Sequence, residues 1–507
     1  MTIMKQASAQ DKGLELQELE AFIRTAAQTG LAAQEVEQGL WKRLLALGHH
    51  LLGQFFAMLG DGDQGETVRV GEGRVLRRLA EPHRRVYQSI FGHFELERVV
   101  YGSREGQRIE YVPLDTRLQL PGGRFSYLLQ DWDQALAVET PYQQVNQVLG
   151  RILGLEQSVA SLEQMSRSMA QAVEGFWEAQ PPALPAEVEQ IVVLSGDGKG
   201  IPMRKPATAP AIDAHRHQRG PKPERKKMAV VGAIYQIEPY RRTPEEVLEA
   251  LFRDPSAPPD ERPTSCRPAP QHKRLRAQLS DAQSEPFKAA STVIMDWLAE
   301  EAHERDCEHQ HPWVVLMDGQ EVLWETAAQA LDETPRIEVL DLLHATGYLW
   351  EAVHLFHTPG SEAAFKMMKL LVLALLSGMG ETMVSWLEMV AEPADLSTTQ
   401  QARLAKICQY LRHNLPRMRY DHYLAAGYPI ASGVIEGACR HVVKDRLERA
   451  GMHWTIPGAQ AMLQLRCVAL NGQWDELMRY RIEQETARLY PYAELVEQAQ
   501  WPLPEAA

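Results

Sequence analysis

The sequence predicts a mixed α/β core set among helical regions, and three observations carry that prediction. Short apolar strand-like runs recur in mid-chain, at 191–195 (IVVLS), 227–237 (KMAVVGAIYQI), 313–317 (WVVLM) and 336–343 (RIEVLDLL). Helical segments at 287–303 and 322–331 lie among them, and strands alternating with helices imply a mixed sheet. The chain is helical in pattern at both flanks, over 14–60 and again from His344 to about Tyr423.

The 507 residues correspond to roughly three folded units. Hydrophobic residues are 45% and charged residues 24%, an ordinary globular composition that excludes a disordered tail, a collagen or a small disulfide scaffold. The formal charge of −14 excludes a general polyanion binder, so any nucleic-acid surface must be a local basic patch. Five widely spaced cysteines without a CxxC pair argue against a disulfide framework or a cysteine-built zinc site. The N-terminal MTIMKQASAQDKG has no apolar core of a secretory signal, and the most apolar window, 367–379, is interrupted by Lys369 and too short to span a bilayer. The expectation is a soluble, cytoplasmic, nucleoid-associated protein without a membrane partner.

Within the N-terminal region, apolar residues at helical spacing (Leu16, Leu19, Phe22, Ile23, then Leu40, Leu44, Leu45, Leu51, Leu52, Phe55, Phe56) predict a helical pair. The following GDGDQGE lacks the twelfth-position Glu of a calcium loop and reads as a surface turn. Alternation over 92–116 suggests a short hairpin. Residues 140–176 read as two helices broken at Gly154, the pattern of a helix-turn-helix, which any helical hairpin shares. QPPALP at 180–185 is a linker. The predicted division is 1–90, 91–180, a core at 186–344, a helical insertion at 345–427, and 428–507.

Two acidic residues follow apolar strands, each succeeded by Gly: Asp197 in VVLSGDGKG and Asp318 in VVLMDGQ. Ligand crevices of open α/β sheets lie beyond strand ends, so both carboxylates are aimed at one. A third acid, Glu436, falls in the first turn of a helix opened by Ser432, a residue suited to cap it; the positive helix end favours an ionised carboxylate there. Three carboxylates without a His or Cys set suit Mg²⁺ or Mn²⁺, and two such ions can activate an attacking oxygen and stabilise a leaving one on phosphate. The order of elements between these acids matches a ribonuclease-H-like core with a helical insertion before its last helix.

The segments DGKGIPMR (197–204), YRRTPEEVLEALF (240–252), VLMDGQ (315–320), VLDLLHATGYLWEA (339–352), YPIASGVIEGACRHVVKDRLERAGMHW (428–454) and LNGQWD (470–475) resemble the DDE transposases of bacterial insertion sequences, in particular the ISKra-type group. GDGDQGE and YVPLDTRL fit the same group, so the resemblance spans nearly the whole chain. It implies that Asp197, Asp318 and Glu436 form the catalytic, metal-binding triad for two Mg²⁺ or Mn²⁺ ions. It also implies an enzyme that binds double-stranded terminal inverted repeats, cuts them to 3′-hydroxyls and joins these to target DNA without a covalent enzyme link. A homodimer or larger synaptic assembly is implied likewise.

Supporting residues are expected around the triad. Arg440 and Lys444 lie four and eight residues beyond Glu436 on one helix face, suited to backbone phosphates or simply solvated. Asp341 and His344, at the end of the last strand, are expected to support the site from behind, or to be structural. Trp454 could stack on a flipped base, although a Trp after a helix is more often core. The run 199–227 has nine Lys or Arg, among them Lys199, Arg204, Lys226 and Lys227, and 262–276 adds five more; both read as loops offered to DNA or solvated. His303, Cys307, His309 and His311 make a poor zinc set, with one Cys and no partner pair. A metal-dependent nuclease or resolvase on the same fold, and a non-catalytic helix-turn-helix protein, stand as alternatives.

Overall fold

The computed structural model describes residues 9–104, 109–204, 226–253, 267–280, 289–449, 451–498 and 501. The chain divides into two compact units, 1–172 with 474–507, and 173–473. The segment from Trp474 onward thus belongs with the N-terminal unit rather than with the core.

In the first unit, helices α1 (Ala9–Thr29) and α2 (Ala33–Leu59) form the helical pair read from the apolar spacing. The GDGDQGE stretch is a surface turn. Asp61 and Asp63 carboxylates accept from the amides of Asp63 and Gly65, and Asp63 pairs with Arg78. Strands β1 (Thr67–Val70), β2 (Arg74–Arg78) and β5 (Tyr101–Gly102) make one small sheet, and β3 (His83–Ser89) with β4 (Gly92–Arg98) another. The hairpin therefore lies upstream of its expected place: 92–98 is a strand, but it pairs backward with 83–89 across a turn at Ile90–Phe91. Gly92, at φ 121°, allows the chain to reverse there.

A short helix α3 (Pro113–Leu118) precedes three packed helices, α4 (Tyr127–Ala137), α5 (Tyr142–Leu153) and α6 (Val159–Ala170). Gly154 ends α5 in the left-handed region, and the Ser158 hydroxyl caps α6 by accepting from the Ser161 amide. Leu129, Val145, Leu149 and Leu162 fill the space between the helices. Polar groups are buried there too. The Gln157 amide donates to both Asp133 oxygens at 2.7 and 2.8 Å, Gln134 donates to the Leu162 carbonyl, and Ser166 donates to Gln134. Burial pushes the Asp133 carboxyl up to about 7 against the lowering effect of Gln157. Helices α19 (Trp474–Leu489) and α20 (Glu494–Gln498) complete this unit; the Trp474 indole donates to Asp131 and Arg481 to Gln130.

The second unit begins with α7 (Val173–Glu178), carries α8 (Pro244–Leu251) and is built on a five-stranded sheet of order β10-β9-β6-β7-β8. Its strands are β6 (Ile191–Pro202), β7 (Lys226–Ile237), β8 (Gln271–Leu279), β9 (Trp313–Met317) and β10 (Ile337–Leu340). β6, β7 and β8 form an antiparallel meander, whereas β9 runs parallel to β6 and β10 parallel to β9. Part of the expected basic loop at 262–276 is the edge strand β8. Its Leu275, Ala277 and Leu279 alternate inward while Arg274 pairs with Glu301, so the Lys/Arg content had masked a period of two. Residues 262–266 and 205–225 lie outside the described residues.

Alternate residues of the central strands feed opposite cores. Val192, Leu194, Val315 and Met317 pack against α9 (Ala290–Arg305) and α10 (Glu321–Ala330). Ile191, Val193, Val314, Leu316 and Val339 pack on the other side, with α11 (Leu342–Phe356), α12 (Glu362–Leu376), α13 (Gly380–Ala391), α14 (Thr398–Asn414) and α15 (Tyr420–Ala426). The helical block that follows His344 thus shares one continuous core with the sheet. The chain returns through α16 (Gly433–Cys439), a widened π-helical turn Arg440–Lys444, α17 (Asp445–Leu447) and α18 (Ile456–Leu470). α18 packs on β8, and Asn471 and Gln460 side chains accept from the Leu275 and Leu279 amides, which closes that sheet edge. Among the described residues no helix is long and apolar enough to cross a membrane.

The buried Asp133 gives this fold a pH signature. Its folded-state pKa is raised, so the stabilisation is present below the usual carboxylate value and is lost as pH climbs through about 7. Denaturant titrations at successive pH values should show wild type losing stability relative to Asp133→Asn between pH 4 and 7, by at most about 1.4 kcal/mol per pH unit. Parallel curves for the two proteins would contradict the assignment.

Candidate functional site

Strand register assembles the site. β6 pairs with β9 through Val192–Trp313, Val193–Val314 and Leu194–Val315, and carrying that register forward brings Asp197 beside Asp318. β9 pairs with β10 through Ile337–Val314 to Leu340–Met317, and one further step brings Asp318 beside Asp341. The three aspartates thus follow the paired stretches at one end of the parallel part of the sheet and line one cleft. Asp197 is not beyond a strand end, as the sequence suggested. β6 runs on to Pro202 and Asp197 pairs with Val231, while β9 stops at Met317, so the carboxylate sits where β6 outruns its neighbour.

Asp197, Asp318, Asp341, Leu343, His344, Ser432, Ile435 and Glu436 line one cleft of about 320 Å³. The cleft therefore gathers all three acids of the predicted triad with both supporting residues. Burial raises the Asp318 carboxyl above its usual value; the Gln320 amide, 3.0 Å from Oδ1, opposes this, the negative charges of Asp197 and Asp341 add to it, and His344 counteracts them. Like charges lining one half-buried cleft are what a cation would relieve. The donors are all hard oxygens, which fits Mg²⁺ or Mn²⁺. Among the described residues no three His, Cys, Asp or Glu side chains are gathered closely enough to hold a metal ion, so the donor chemistry fits while the side chains stand apart.

Asp341 is the joint behind this row. Its buried carboxylate caps α11, accepting from the Leu343 amide at 2.6 Å, and its second oxygen accepts from the amide and hydroxyl of Ser432. Ser432 was expected to cap its own helix. Its side chain instead donates to Asp341, and so ties the start of α16, which carries Glu436, to the end of β10. The Ser432 hydroxyl also lies 3.5 Å from Glu436 Oε1.

Two residues at the site carried no sequence signal. Tyr410, from α14, packs over Gly319: a Cβ added at Gly319 would lie 1.9 Å from the phenolic oxygen. Its ring stacks on Tyr348 at 4.0 Å and neighbours His344, whose ring centroid is 6.2 Å away. Cys439 lies buried three residues past Glu436, its thiol 4.0 Å from the Asp197 carbonyl. Burial first, and then the Asp197 charge, push that thiol far above its usual range.

The basic residues fall into two groups. Lys226 pairs with Glu448, and the charges of Lys199 and Lys444 also bear on that carboxyl, which the Lys226 contact holds below its usual value. Lys199, Lys226 and Lys444 thus share one neighbourhood on the side of β6 that extends past Asp197. Arg440 is exposed and 3.5 Å from Asp445, and Arg204 and Lys227 lie near where the end of β6 pairs with the start of β7. The π turn between Arg440 and Lys444 breaks the straight helical stripe on which both were expected.

Trp454 is 7% exposed, donates its indole N–H to the Leu447 carbonyl at 3.0 Å, and carries the Arg446 guanidinium over its ring. Its backbone pairs with Pro202 and Arg204, so in this arrangement it staples the end of β6 and offers no free face to a base. His303 and His309, both exposed, pack their rings on Trp313, and His311 faces Asp306.

No protein-family model matches the chain, and no curated protein does.

The close approach at Gly319 is testable. Gly319→Ala should destabilise the second unit by about 1–3 kcal/mol in denaturant unfolding, since Tyr410 must move. Gly433→Ala, where an added Cβ meets nothing within 4 Å, should stay within about 0.5 kcal/mol of wild type. Equal effects at the two positions would contradict the packing.

Proposed function

We propose that this chain is a DDE-type transposase that binds the terminal inverted repeats of a bacterial insertion sequence of the ISKra-type group, cuts them and joins them to target DNA. The observation that supports the reading is the single cleft lined by Asp197, Asp318 and Glu436, with both aspartates following paired parallel strands. The sheet supports it: an antiparallel meander of three strands, with a fourth and fifth strand added in parallel beside the first, is the order of a ribonuclease-H-like core. An acid on the first strand, a second after the fourth and a third on a later helix is the corresponding placement.

In this reading Asp197, Asp318 and Glu436 would hold two divalent cations, which when bound would supply activation of an attacking oxygen and charge neutralisation on the phosphate. Lys199, Lys226 and Lys444 receive backbone phosphates beside the cleft, and Arg440 and Arg204 extend that surface. Water attacks the phosphorus at the element's end; the new oxygen–phosphorus bond forms as the bond to the 3′ oxygen breaks, and that oxygen leaves as a hydroxyl. The 3′-hydroxyl then attacks a phosphodiester of the target, displacing its 3′ oxygen, with no link to the protein at either stage. Asp341 and Ser432 keep Glu436 in position, and the three-helix cluster α4–α5–α6 is the proposed element for reading the repeats, with α6 as the groove helix.

The test is a reaction of purified protein with labelled DNA bearing the repeats that flank its gene, with Mg²⁺ and with EDTA. Metal-dependent cleavage and joining are expected, reduced at least about a hundredfold by each of Asp197→Ala, Asp318→Ala and Glu436→Ala, or about 2.7 kcal/mol, with DNA binding retained. Cleavage without joining would instead identify a nuclease or resolvase. Binding without any nicking would identify a non-catalytic DNA-binding protein, and activity surviving the triple substitution would discard the site.

A further inference from the structure

Beside the cleft that gathers the acids lies a second groove of opposite character. Leu343, 44% exposed at the start of α11, lines both. The second groove, of about 420 Å³, is formed by the chain leaving α8 together with α11 and α12. Three aromatic rings line it. The Trp350 ring lies 5.5 Å from that of Phe365, edge to face at 83°, and 6.5 Å from that of Phe252. Phe365 is 46% exposed, so a large aromatic surface is left open there. The lining residues include two cations, Arg253 and Lys369, and no acid. The Lys369 ammonium stands 5.5 Å from the centre of the Phe252 ring. The neighbouring cleft is lined by four carboxylates and by no Lys or Arg, so the charge changes sign across Leu343.

We infer that this groove is a nucleotide subsite, occupied by one unpaired nucleotide of the DNA strand whose phosphodiester enters the acidic cleft. Its chemistry selects that occupant. Aromatic rings beside cations are the combination that holds a single strand: each base offers a face to a ring whatever the sequence, and the phosphate meets the cation. A purely apolar ligand would leave Lys369 and Arg253 unmatched. Size excludes a duplex, whose major groove alone is about 12 Å wide, whereas the groove has the volume of a pocket for one small molecule. Position gives the reason for an unpaired nucleotide. The acidic cleft, of about 320 Å³, has room for a phosphodiester and ions but not for a stacked base pair, so a strand that enters it leaves its partner locally. The nucleotide next to that phosphodiester is then unstacked, and the rings beyond Leu343 replace the stacking it has lost. The inference rests on the proposed cutting of DNA in the adjacent cleft, and adds to it that the strand is held unpaired there by Phe365, Trp350 and Lys369.

Photocross-linking of the full chain to a short oligothymidylate carrying one 5-iododeoxyuridine tests it, in EDTA so that nothing is cut. The cross-link should map to the peptides of Trp350 or Phe365, and the same oligonucleotide annealed to its complement should not cross-link there. Fluorescence anisotropy with the labelled oligothymidylate gives the second measurement. Phe365→Ala should weaken binding about tenfold or more. Lys369→Ala should reduce the slope of log affinity against log salt by about 0.7, the share of one phosphate on a single strand. Leu370→Ala, on the same helix and 64% exposed but outside the groove, should bind as wild type does. Cross-links that fall only elsewhere overturn the inference, as does equal binding by Phe365→Ala and Leu370→Ala. The two readings fail separately. Cutting of the repeats with no cross-link in the groove leaves the transposase and removes the subsite, whereas groove cross-links and a weakened Phe365→Ala without any cutting keep the subsite and remove the transposase.

Discussion

The parallel register of β6, β9 and β10 is the constraint on which the second unit depends. It brings Asp197, Asp318 and Asp341 to one end of the sheet, an arrangement no isolated strand would favour, since like charges near one another repel. The surrounding structure offsets that repulsion unequally. Asp341 is fully engaged by backbone and hydroxyl donors, and Asp318 receives one amide and the nearby His344. What remains is concentrated negative potential at Asp197 and Asp318, open to a cleft that Glu436 also lines.

The helical block after His344 steadies this arrangement. Tyr420 and Tyr423 donate their hydroxyls to the Leu340 and Glu338 carbonyls, pinning β10 from outside. Arg417 pairs with Glu338 at 2.8 Å and lies over the Trp324 ring, whose indole in turn donates to the Asp318 carbonyl. Tyr410 closes over Gly319. The loop that carries Asp318 is thus clamped from both faces of the sheet, by α10 on one and α14 on the other. In the proposed function this preorganisation would serve phosphoryl transfer, in which most of the work is positioning.

Much of this was legible in the sequence. The runs IVVLS and WVVLM could scarcely be anything but buried strands, and an acid followed by Gly after each pointed to a shared end of a sheet. The helical pair 14–60, the break at Gly154 and the surface turn at GDGDQGE rested on local rules that tertiary packing did not override. The misreadings have physical causes. β8 hid because alternating Lys and Arg outweighed Leu275, Ala277 and Leu279, and the hairpin was displaced because the turn at Ile90–Phe91 lacks the usual turn residues. The length of β6 past Asp197 is set by pairing with β7, which residues 196–202, rich in Gly, do not advertise. Ser432 satisfied a capping pattern yet donates to Asp341, ninety-one residues away, and Tyr410 reaches Gly319 only through the folded helical block. Contacts across such separations leave no mark on local periodicity.

In the proposed function Asp197 and Asp318 share one cation site. Mn²⁺ binding followed by electron paramagnetic resonance, on wild type and on Asp318→Asn, tests it without recourse to DNA or turnover. Saturable binding by wild type that is lost in Asp318→Asn, and equally in Asp197→Asn, is the predicted result. Binding absent from wild type, or undiminished in both variants, would contradict it.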